Sequence, residues 1–530
     1  MNNSIAHTKR EKNMNNLNSH LSCPKCLSES IKKGGISESG KQRYRCNSCN
    51  HRTVEPFGIS EIDYTHDQKS ISDNVKKALK SKKFFITSAQ NATPVADHML
   101  SAIKTYCDAE NAELLVVPYR YKNPTSTFTD KDYDWWDSKI AGNVIDRRID
   151  ICDGLTLLAD IKLQPTAAKP LTSLEGFTGT NSCIVGHPKA QMKTVPTRQG
   201  DMAKIMQTTG SITVENYTSS KAGSTGKFHH NFGGLIVEID RKSGVFHMRR
   251  VTINRDGTFY DLDKRYGPDF VEKHNGVEGV ILGDIHQWWI DDQVNNAIPK
   301  LLKDLNPKKV VMHDVIDSYS ISHHHQKMPF TNFAKHQAGM TNIKKELMDF
   351  ADWSNNLTKK FKNTEFTVVP SNHHDHIKRW IEEANWKSDP ENAEFYLETA
   401  HHMLSNTVMT KTGAEYPDPF RYWIKKLSPN LNLISTDQSY MIKNFEAGMH
   451  GHIGPNGARG SLLSLSKLGV KAVVGHVHSP AEESGSLAVG VCAMDMEYAN
   501  GPSSWLSSQA VIYPDGKATL VHIINGKYRS

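Results

Sequence analysis

Five short stretches rich in Asp, Asn and His lie between Gly283 and His478, and each follows a short apolar run. The apolar runs, such as residues 280–282 and 310–312, have the length of buried strands, and helical stretches separate them. This alternation predicts a layered α/β fold with its polar residues at the carboxyl ends of strands. The stretches read Gly-Asp-Ile-His at 283–286, His-Asp at 313–314, Asn-His-His-Asp at 372–375, His-Gly-His at 450–452 and Gly-His-Val-His at 475–478.

The spacing within these stretches favours metal binding. In an extended segment, residues i and i+2 project to the same side, so Asp284 and His286 can bind one ion together. A single carboxylate such as Asp314 can bridge two cations held about 3.5–4 Å apart. The alternative is that each side chain is a surface or capping residue. For any single one of these residues that interpretation would be preferred, but it explains all five stretches together poorly.

The order of the stretches resembles that of the calcineurin-like metallophosphoesterase superfamily, which includes the Mre11-type nucleases. Its members carry Asp-x-His, Gly-Asp, Gly-Asn-His-Asp/Glu, His and Gly-His-x-His in this order. The resemblance implies a four-layer α/β/β/α sandwich and an enzyme with two metal ions. It assigns Asp284, His286, Asp314 and His478 to the first ion, and Asp314, Asn372, His450 and His476 to the second.

The same resemblance makes His373 the catalytic side chain, which protonates the leaving oxygen or stabilises the transition state. Two positions depart from the superfamily pattern, since His313 and Ser371 stand where its members have glycine. His374 is an alternative that could share the role of His373. In the fourth stretch, His452 competes in the same way with the preferred His450, which lies nearer the preceding strand.

The predicted ligands suit a hard or borderline divalent cation. They are oxygen and imidazole groups without a thiolate, so Mn²⁺ is the expected metal, and Fe or Zn are alternatives. A phosphodiester is anionic and repels nucleophiles, and two cations would offset its charge and provide hydroxide near neutral pH.

Four cysteines near the N-terminus form a second pattern. Cys23 and Cys26, then Cys46 and Cys49, have the spacing of a four-thiolate structural Zn²⁺ site. The module resembles the zinc ribbons of transposase-associated DNA-binding proteins. Residues 1–57 hold ten Lys and Arg against four Glu, which is nearly all of the net charge of +7. The resemblance implies DNA contacts by Lys41, Arg43, Tyr44 and Arg45.

Other roles for this basic region stay open, because the module could be purely structural, could contact a protein, or could be a solvated basic tail. Two glycine-rich stretches, at 35–41 and 223–227, mimic a phosphate-binding loop but lack its complete pattern. The histidines at 323–325 are expected in a loop or facing substrate rather than in a metal site.

The chain is expected to divide into a disordered tail at 1–20, a zinc ribbon at 21–57, an accessory α/β domain at 73–275 and a catalytic domain at 276–530. In the accessory domain we expect strands at 84–87 and 112–117 around a helix at 94–110, and a hairpin of 246–253 with 259–260. No apolar run reaches the ~18 residues that cross a membrane, and no signal peptide is evident, which predicts a cytoplasmic protein.

A metal-dependent nuclease acting on DNA is the leading functional prediction. The layout, with Thr-Ser-Ala-Gln-Asn-Ala-Thr-Pro at 87–94 and Pro-Tyr-Arg-Tyr at 118–121, also resembles phage proteins related to the T5 pre-early protein that degrades host DNA. That likeness implies the host cytoplasm and a homo-oligomer. The alternatives are a phosphatase or cyclic-nucleotide phosphodiesterase, whose turnover would not need residues 1–57, and a non-catalytic DNA-transfer or DNA-binding protein.

Overall fold

A computed structural model describes residues 30–37, 42–48, 50–53, 78–121, 136–198, 200–411, 413–436, 438–493, 496 and 499–530. A six-stranded mixed sheet forms the centre of the region from residue 279 onward. Four of its strands run parallel. Ser508–Ile512 runs antiparallel to them, and Ala518–His522 pairs antiparallel with Ser508–Ile512. In spatial order the strands are Asn432–Leu433, Glu365–Val368, Lys309–Met312, Gly279–Ile281, Ser508–Ile512 and Ala518–His522.

Both faces of this sheet are buried, which explains why its strands read as continuous apolar runs. Val280 and Leu282 lie in a core cluster with the helices, while Ile281 between them lies in a second cluster shared with another sheet. Val310 and Val311 divide between the two clusters in the same way. The two-residue period of a strand therefore places helices on one face and a second sheet on the other.

The helical layer is built from amphipathic helices with polar caps. Asp291, Asn342 and Asp418 each accept hydrogen bonds from backbone amides in the first turn of the helix that follows, which offsets unpaired N–H groups there. The inward residues of these helices are almost fully buried. Each large apolar side chain buried in this way contributes about 1.5–3 kcal/mol. Among the described residues, the α-helices of this layer and of the rest of the fold are Asp97–Glu110, Lys221–Phe228, Asp292–Leu305, Pro329–Gln337, Ile343–Lys360, Asp375–Glu382, Ala393–Ser405, Pro419–Leu427 and Leu462–Leu465.

The second sheet has ten strands and combines two distant parts of the chain. Residues 441–488 supply one half and residues 148–208 the other, so the two ranges predicted as separate domains share a sheet and a hydrophobic core. The strands are Met441–Ile442, Phe445–Glu446, Lys471–Val474, Ser486–Ala488, Ala481–Glu483, Gln191–Val195, Lys204–Thr208, Ser182–Val185, Leu155–Leu158 and Arg148–Cys152. Helices, six-stranded sheet and ten-stranded sheet form successive layers. This confirms a mixed α/β fold, and the four-layer sandwich stays a prediction.

A four-stranded sheet completes the accessory region, with strands in the order Val245–Thr252, Gly233–Asp240, Lys83–Gln90 and Glu113–Tyr119. The predicted strand, helix, strand order is confirmed there, because helix Asp97–Glu110 connects two parallel strands. The predicted hairpin is wrong. Val245–Thr252 pairs with Gly233–Asp240, and Phe259–Asp261 pairs with Lys264–Tyr266 in a small sheet with Val271–Lys273. The turn at 254–258 therefore connects strands of two different sheets and does not close a hairpin.

The N-terminal module contains a three-stranded antiparallel sheet of Ile31–Ile36, Gln42–Cys46 and Arg52–Thr53. Of the predicted zinc ligands, Cys46 is buried, and Cys23, Cys26 and Cys49 lie outside the described residues, as does Lys41. The predicted tail at 1–20 also lies outside them. Within the described residues, no helix is both long and apolar enough to cross a membrane.

Candidate metal centre

The carboxyl ends of three parallel strands meet at one edge of the six-stranded sheet. Asp284 follows Gly279–Ile281, and Asp314 follows Lys309–Met312. Asn372 follows Glu365–Val368, which is parallel to its neighbour. Parallel strands therefore deliver two carboxylates and an amide to the same edge, which is where open α/β sheets place ligands.

The four residues predicted for the first ion lie together. Ligand atoms of Asp284, His286, Asp314 and His478 all fall within 4.8 Å of one another, and all four residues are buried. His478 Nε2 is 3.1 Å from Asp284 Oδ2 and 3.2 Å from His286 Nε2, which is 3.8 Å from Asp314 Oδ2. This clustering fits one divalent cation held by two carboxylates and two imidazoles.

The residues predicted for the second ion are arranged more loosely. His450 Nε2 is 3.0 Å from Asp314 Oδ2, so Asp314 faces both ligand groups as a bridging carboxylate would. The half-buried His476 ring has its centroid 5.4 Å from that of His450. Asn372 Oδ1 is buried without a hydrogen-bond partner. His450 also lies in a compact group with Asp284 and His313, whose ligand atoms are within 4.8 Å of one another.

Unpaired buried oxygens are a strong sign that the site fits cations. Asp284 Oδ1 and Asp314 Oδ1 have no hydrogen-bond partner, although the two residues are 0 % and 1 % exposed. Leaving such a group unsatisfied costs about 1–3 kcal/mol, and more when it is charged. Metal coordination would satisfy these atoms.

The backbone around these ligands is strained. His286, Asp314, His476 and His478 have φ angles of 41°, 39°, 74° and 55°, in the left-handed region that side chains other than Gly rarely adopt. Such conformations cost about 1–3 kcal/mol each and cluster at functional sites. The backbone at Gly475 also lies very close to a ligand, because a Cβ atom there would be 2.2 Å from Asp284 Oδ1.

Histidines hold the two buried carboxylates in their charged form. Burial raises the pKa of Asp314, but the His450 and His373 imidazoles outweigh it and hold that pKa well below its usual range. Burial likewise raises the pKa of Asp284, and His450 and His478 lower it overall. The carboxylates are therefore available as anionic ligands near neutral pH.

His373 stands at the open side of the cluster and is 17 % exposed. Its Nε2 is 3.9 Å from Asp314 Oδ2, while its Nδ1 is 3.0 Å from the carbonyl oxygen of Asp317. Burial lowers the pKa of His373, but the Asp314 and Asp317 carboxylates outweigh burial and raise it to about 10. A protonated imidazole at this position can donate to a departing oxygen.

Asp317 is a residue of the site that the sequence analysis missed. Its Oδ1 lies 3.1 Å from His373 Nδ1 and 3.2 Å from His286 Nδ1, and these three residues form another compact group. The sequence clue that could have indicated Asp317 is its position three residues after Asp314, in the loop that follows the same strand.

His374 is held by different contacts from those of His373. Its buried ring stacks on Phe420, with centroids 3.8 Å apart, and its Nε2 accepts a hydrogen bond from the Val315 amide at 3.3 Å. His313, at a position where the superfamily has glycine, is fully buried with Nδ1 3.4 Å from His450 Nδ1. The ring centroid of His452 lies 5.4 Å from that of His450.

The remaining predicted residues lie elsewhere. In the N-terminal sheet Arg43 is exposed, Tyr44 is half-buried, and Arg45 Nη2 donates to Asn50 Oδ1 at 3.0 Å. Residues 223–227 belong to helix Lys221–Phe228, which Ser220 caps, and not to a phosphate-binding loop. The histidines at 323–325 form a short 3₁₀ turn beside the site.

Comparison with known proteins gives one informative relative. The chain is 32 % identical to Protein A1 of Escherichia phage T5 over 471 residues, which cover 84 % of this chain and 83 % of the relative. The chain belongs to the Protein A1 family. No protein-family model matches it, and no solved structure does.

Proposed function

We propose that this protein is a metal-dependent phosphodiesterase that cleaves DNA, acting as a phage nuclease on host DNA in the host cytoplasm. The observation that carries the proposal is the buried cluster of Asp284, His286, Asp314 and His478, with His373 beside it. Similarity to a T5 phage protein supports the phage setting. We also propose that the protein forms a homo-oligomer.

The residues suit two divalent ions, Mn²⁺ first and Fe or Zn as alternatives, shared across Asp314. When bound, such ions offset phosphate charge and lower the pKa of water, which supplies the nucleophile near neutral pH. The protein's own contribution is to orient the phosphodiester and to hold a proton. His373 is placed to give that proton to the leaving oxygen, and Asp317 fixes its ring.

DNA is the proposed polymer because of the N-terminal module. Arg43 is exposed beside Tyr44 and Arg45, in the segment with most of the excess positive charge. Cationic and aromatic side chains together contact phosphates and bases. A structural Zn²⁺ on Cys23, Cys26, Cys46 and Cys49 is part of this proposal, and the zinc content of the purified protein tests it.

The deciding experiment incubates the purified protein and Mn²⁺ with linear and circular DNA. His373→Ala is the test variant, and His401→Ala, an exposed histidine on helix Ala393–Ser405, is the matched control. We expect cleavage by the wild type and the control, and a loss of about 100-fold or more in His373→Ala, the scale of general acid catalysis. Cleavage of circular DNA would identify an endonuclease.

Two results would replace the proposal. Turnover of small phosphoesters without DNA cleavage would indicate a phosphatase or cyclic-nucleotide phosphodiesterase. Unchanged activity in infected cells after Asp314→Ala, in a folded protein, would indicate a non-catalytic DNA-transfer or DNA-binding protein.

A further inference from the structure

Helix Pro329–Gln337 presents two aromatic rings to solvent beside the candidate metal centre. Phe330 is 88 % exposed and Phe333 is 65 % exposed, and their spacing of three residues puts them on one face. On the opposite face Lys335 is 4 % exposed, and its Nζ donates to the Ser320 carbonyl oxygen at 3.0 Å. The helix is therefore anchored from within while both rings face outward.

A row of histidine rings connects this helix to the catalytic position. The ring centroid of His376 lies 5.2 Å from that of His373 and 5.2 Å from that of His323. Arg379 Nη1 is 3.1 Å from His323 Nε2. The 3₁₀ turn that contains His323 is joined to the start of the helix, because the Met328 amide donates to the His325 carbonyl at 2.9 Å.

The charge of this segment is one-sided. No Asp or Glu occurs between Asp317 and Glu346, and Lys327 in this segment is exposed. Arg379 is exposed on the neighbouring helix Asp375–Glu382, which also carries the exposed Glu382. Glu383 contacts the segment by accepting a hydrogen bond from Gln326 at 3.0 Å. Exposed aromatic rings within a cationic segment complement a polyanion that also has flat apolar groups.

We propose that Phe330, Phe333, Lys327, His323 and Arg379 form a strand-binding surface that holds an unpaired DNA strand leading into the metal centre. Phe330 and Phe333 stack on successive bases, and Lys327 and Arg379 contact phosphates. The occupant is an unpaired strand because bases inside a duplex are stacked on one another and cannot reach the rings. The inference rests on the proposed nuclease function and adds the form of DNA that the site takes.

The test measures binding of fluorescent oligothymidylate, and of a duplex of equal length, by the full-length protein in EDTA. The variant Phe330→Ala/Phe333→Ala removes both rings, and Phe228→Ala, which is 83 % exposed on another helix, is the matched control. We expect the Kd for the single strand to rise at least tenfold in the double variant, because two base–ring stacking contacts are lost. The Kd for the duplex should change little. An abasic oligonucleotide should bind wild type and double variant equally.

Hydrolysis of bis(p-nitrophenyl) phosphate with Mn²⁺ separates this inference from the proposed function. The double variant should hydrolyse this small diester at the wild-type rate. A wild type that hydrolyses neither the small diester nor DNA would defeat the nuclease proposal, whereas the binding experiment would still judge the surface. Equal single-strand affinity of wild type and double variant overturns the inference. So does a change from dimer to monomer in the double variant with DNA affinity intact, because the rings would then join two copies of the chain.

Discussion

Asp317 Oδ1 lies 3.1 Å from His373 Nδ1 and also 3.2 Å from His286 Nδ1. One buried carboxylate thus faces both imidazoles and leaves each Nε2 directed toward Asp314, at 3.9 Å and 3.8 Å. A partner behind a ligating or catalytic histidine fixes its ring orientation and tautomer. Asp317 is therefore a positioning residue for the predicted ligand and the predicted acid together.

Replacing Asp317 by Asn should keep the shape of the loop and remove the negative charge. We expect kcat on a small phosphodiester to fall about 10–100-fold, the usual effect of losing such a partner, with KM changed much less. The pH profile should also move. Asp317 helps to raise the pKa of His373, so the basic limb of the profile should shift to lower pH.

Asp352→Asn is the control, since Asp352 is exposed on helix Ile343–Lys360. An equal fall in both variants, or an unmoved pH profile in Asp317→Asn, would show that Asp317 only supports the fold.

Metal binding should stabilise the protein measurably. Asp284 and Asp314 are buried with unpaired oxygens, so we expect the folded chain to bind a cation and the unfolded chain to lose the site. A ligand at 100 times its Kd adds about 2.7 kcal/mol to the free energy of unfolding. Mn²⁺ should therefore raise Tm by a few degrees over EDTA in thermal unfolding. Asp314→Ala should abolish this rise, and a rise that survives in Asp314→Ala would place the ion elsewhere.

The local part of the site was predictable from the sequence, and its long-range part was not. Strand spacing paired Asp284 with His286, and the resemblance to the metallophosphoesterase superfamily added Asp314 and His478, whose ligand atoms do lie beside theirs. His374 could not be separated from His373 by sequence, because burial against Phe420 depends on a distant helix. The ten-stranded sheet was equally hidden, since strand pairs such as Ala481–Glu483 with Gln191–Val195 join residues about 290 positions apart.

Gly475 should be essential for the geometry of the first ion. A Cβ atom at this position would lie 2.2 Å from Asp284 Oδ1 and 3.1 Å from the His313 side chain. Gly475→Ala must therefore displace a ligand, and we expect at least a tenfold loss of Mn²⁺ affinity by titration. Gly142→Ala is the control, because nothing lies within 4 Å of its added carbon. Wild-type affinity in Gly475→Ala would mean that Asp284 does not bind the ion.

His187 should make the fold sensitive to acid. Its Nδ1 accepts from the Lys189 amide at 3.0 Å, and its Nε2 is 3.1 Å from the Gln164 carbonyl oxygen, so the neutral ring is fully paired. Burial lowers its pKa from 6.5 to about 4. As the pH falls, the His187 imidazole is protonated in the unfolded chain before it is protonated in the folded chain. The free energy of unfolding therefore decreases as the pH falls from about 6.5 to 4.

The expected contribution of His187 at pH 5 is about 2 kcal/mol, from 1.36 kcal/mol per pKa unit. His187→Gln should be less stable at pH 7, but it should lose about 2 kcal/mol less than the wild type between pH 7 and pH 5. Urea unfolding at both pH values measures this difference, and His401→Gln on the surface is the control. An unchanged pH dependence in His187→Gln would show that the ring is protonated in the fold.

The basic N-terminal module should act on the polymer and not on the chemistry. Arg43 is exposed on the strand Gln42–Cys46, far in sequence from the metal ligands. A phosphate contact by Arg43 predicts that Arg43→Ala weakens DNA binding and lowers the slope of log K against log salt by about 1. Hydrolysis of a small diester should stay at the wild-type rate, because that substrate reaches only the metal centre. Lys242→Ala, at an exposed turn of the accessory region, controls for loss of a positive charge. An equal salt slope in Arg43→Ala and wild type would restrict the module to a structural or protein-binding role.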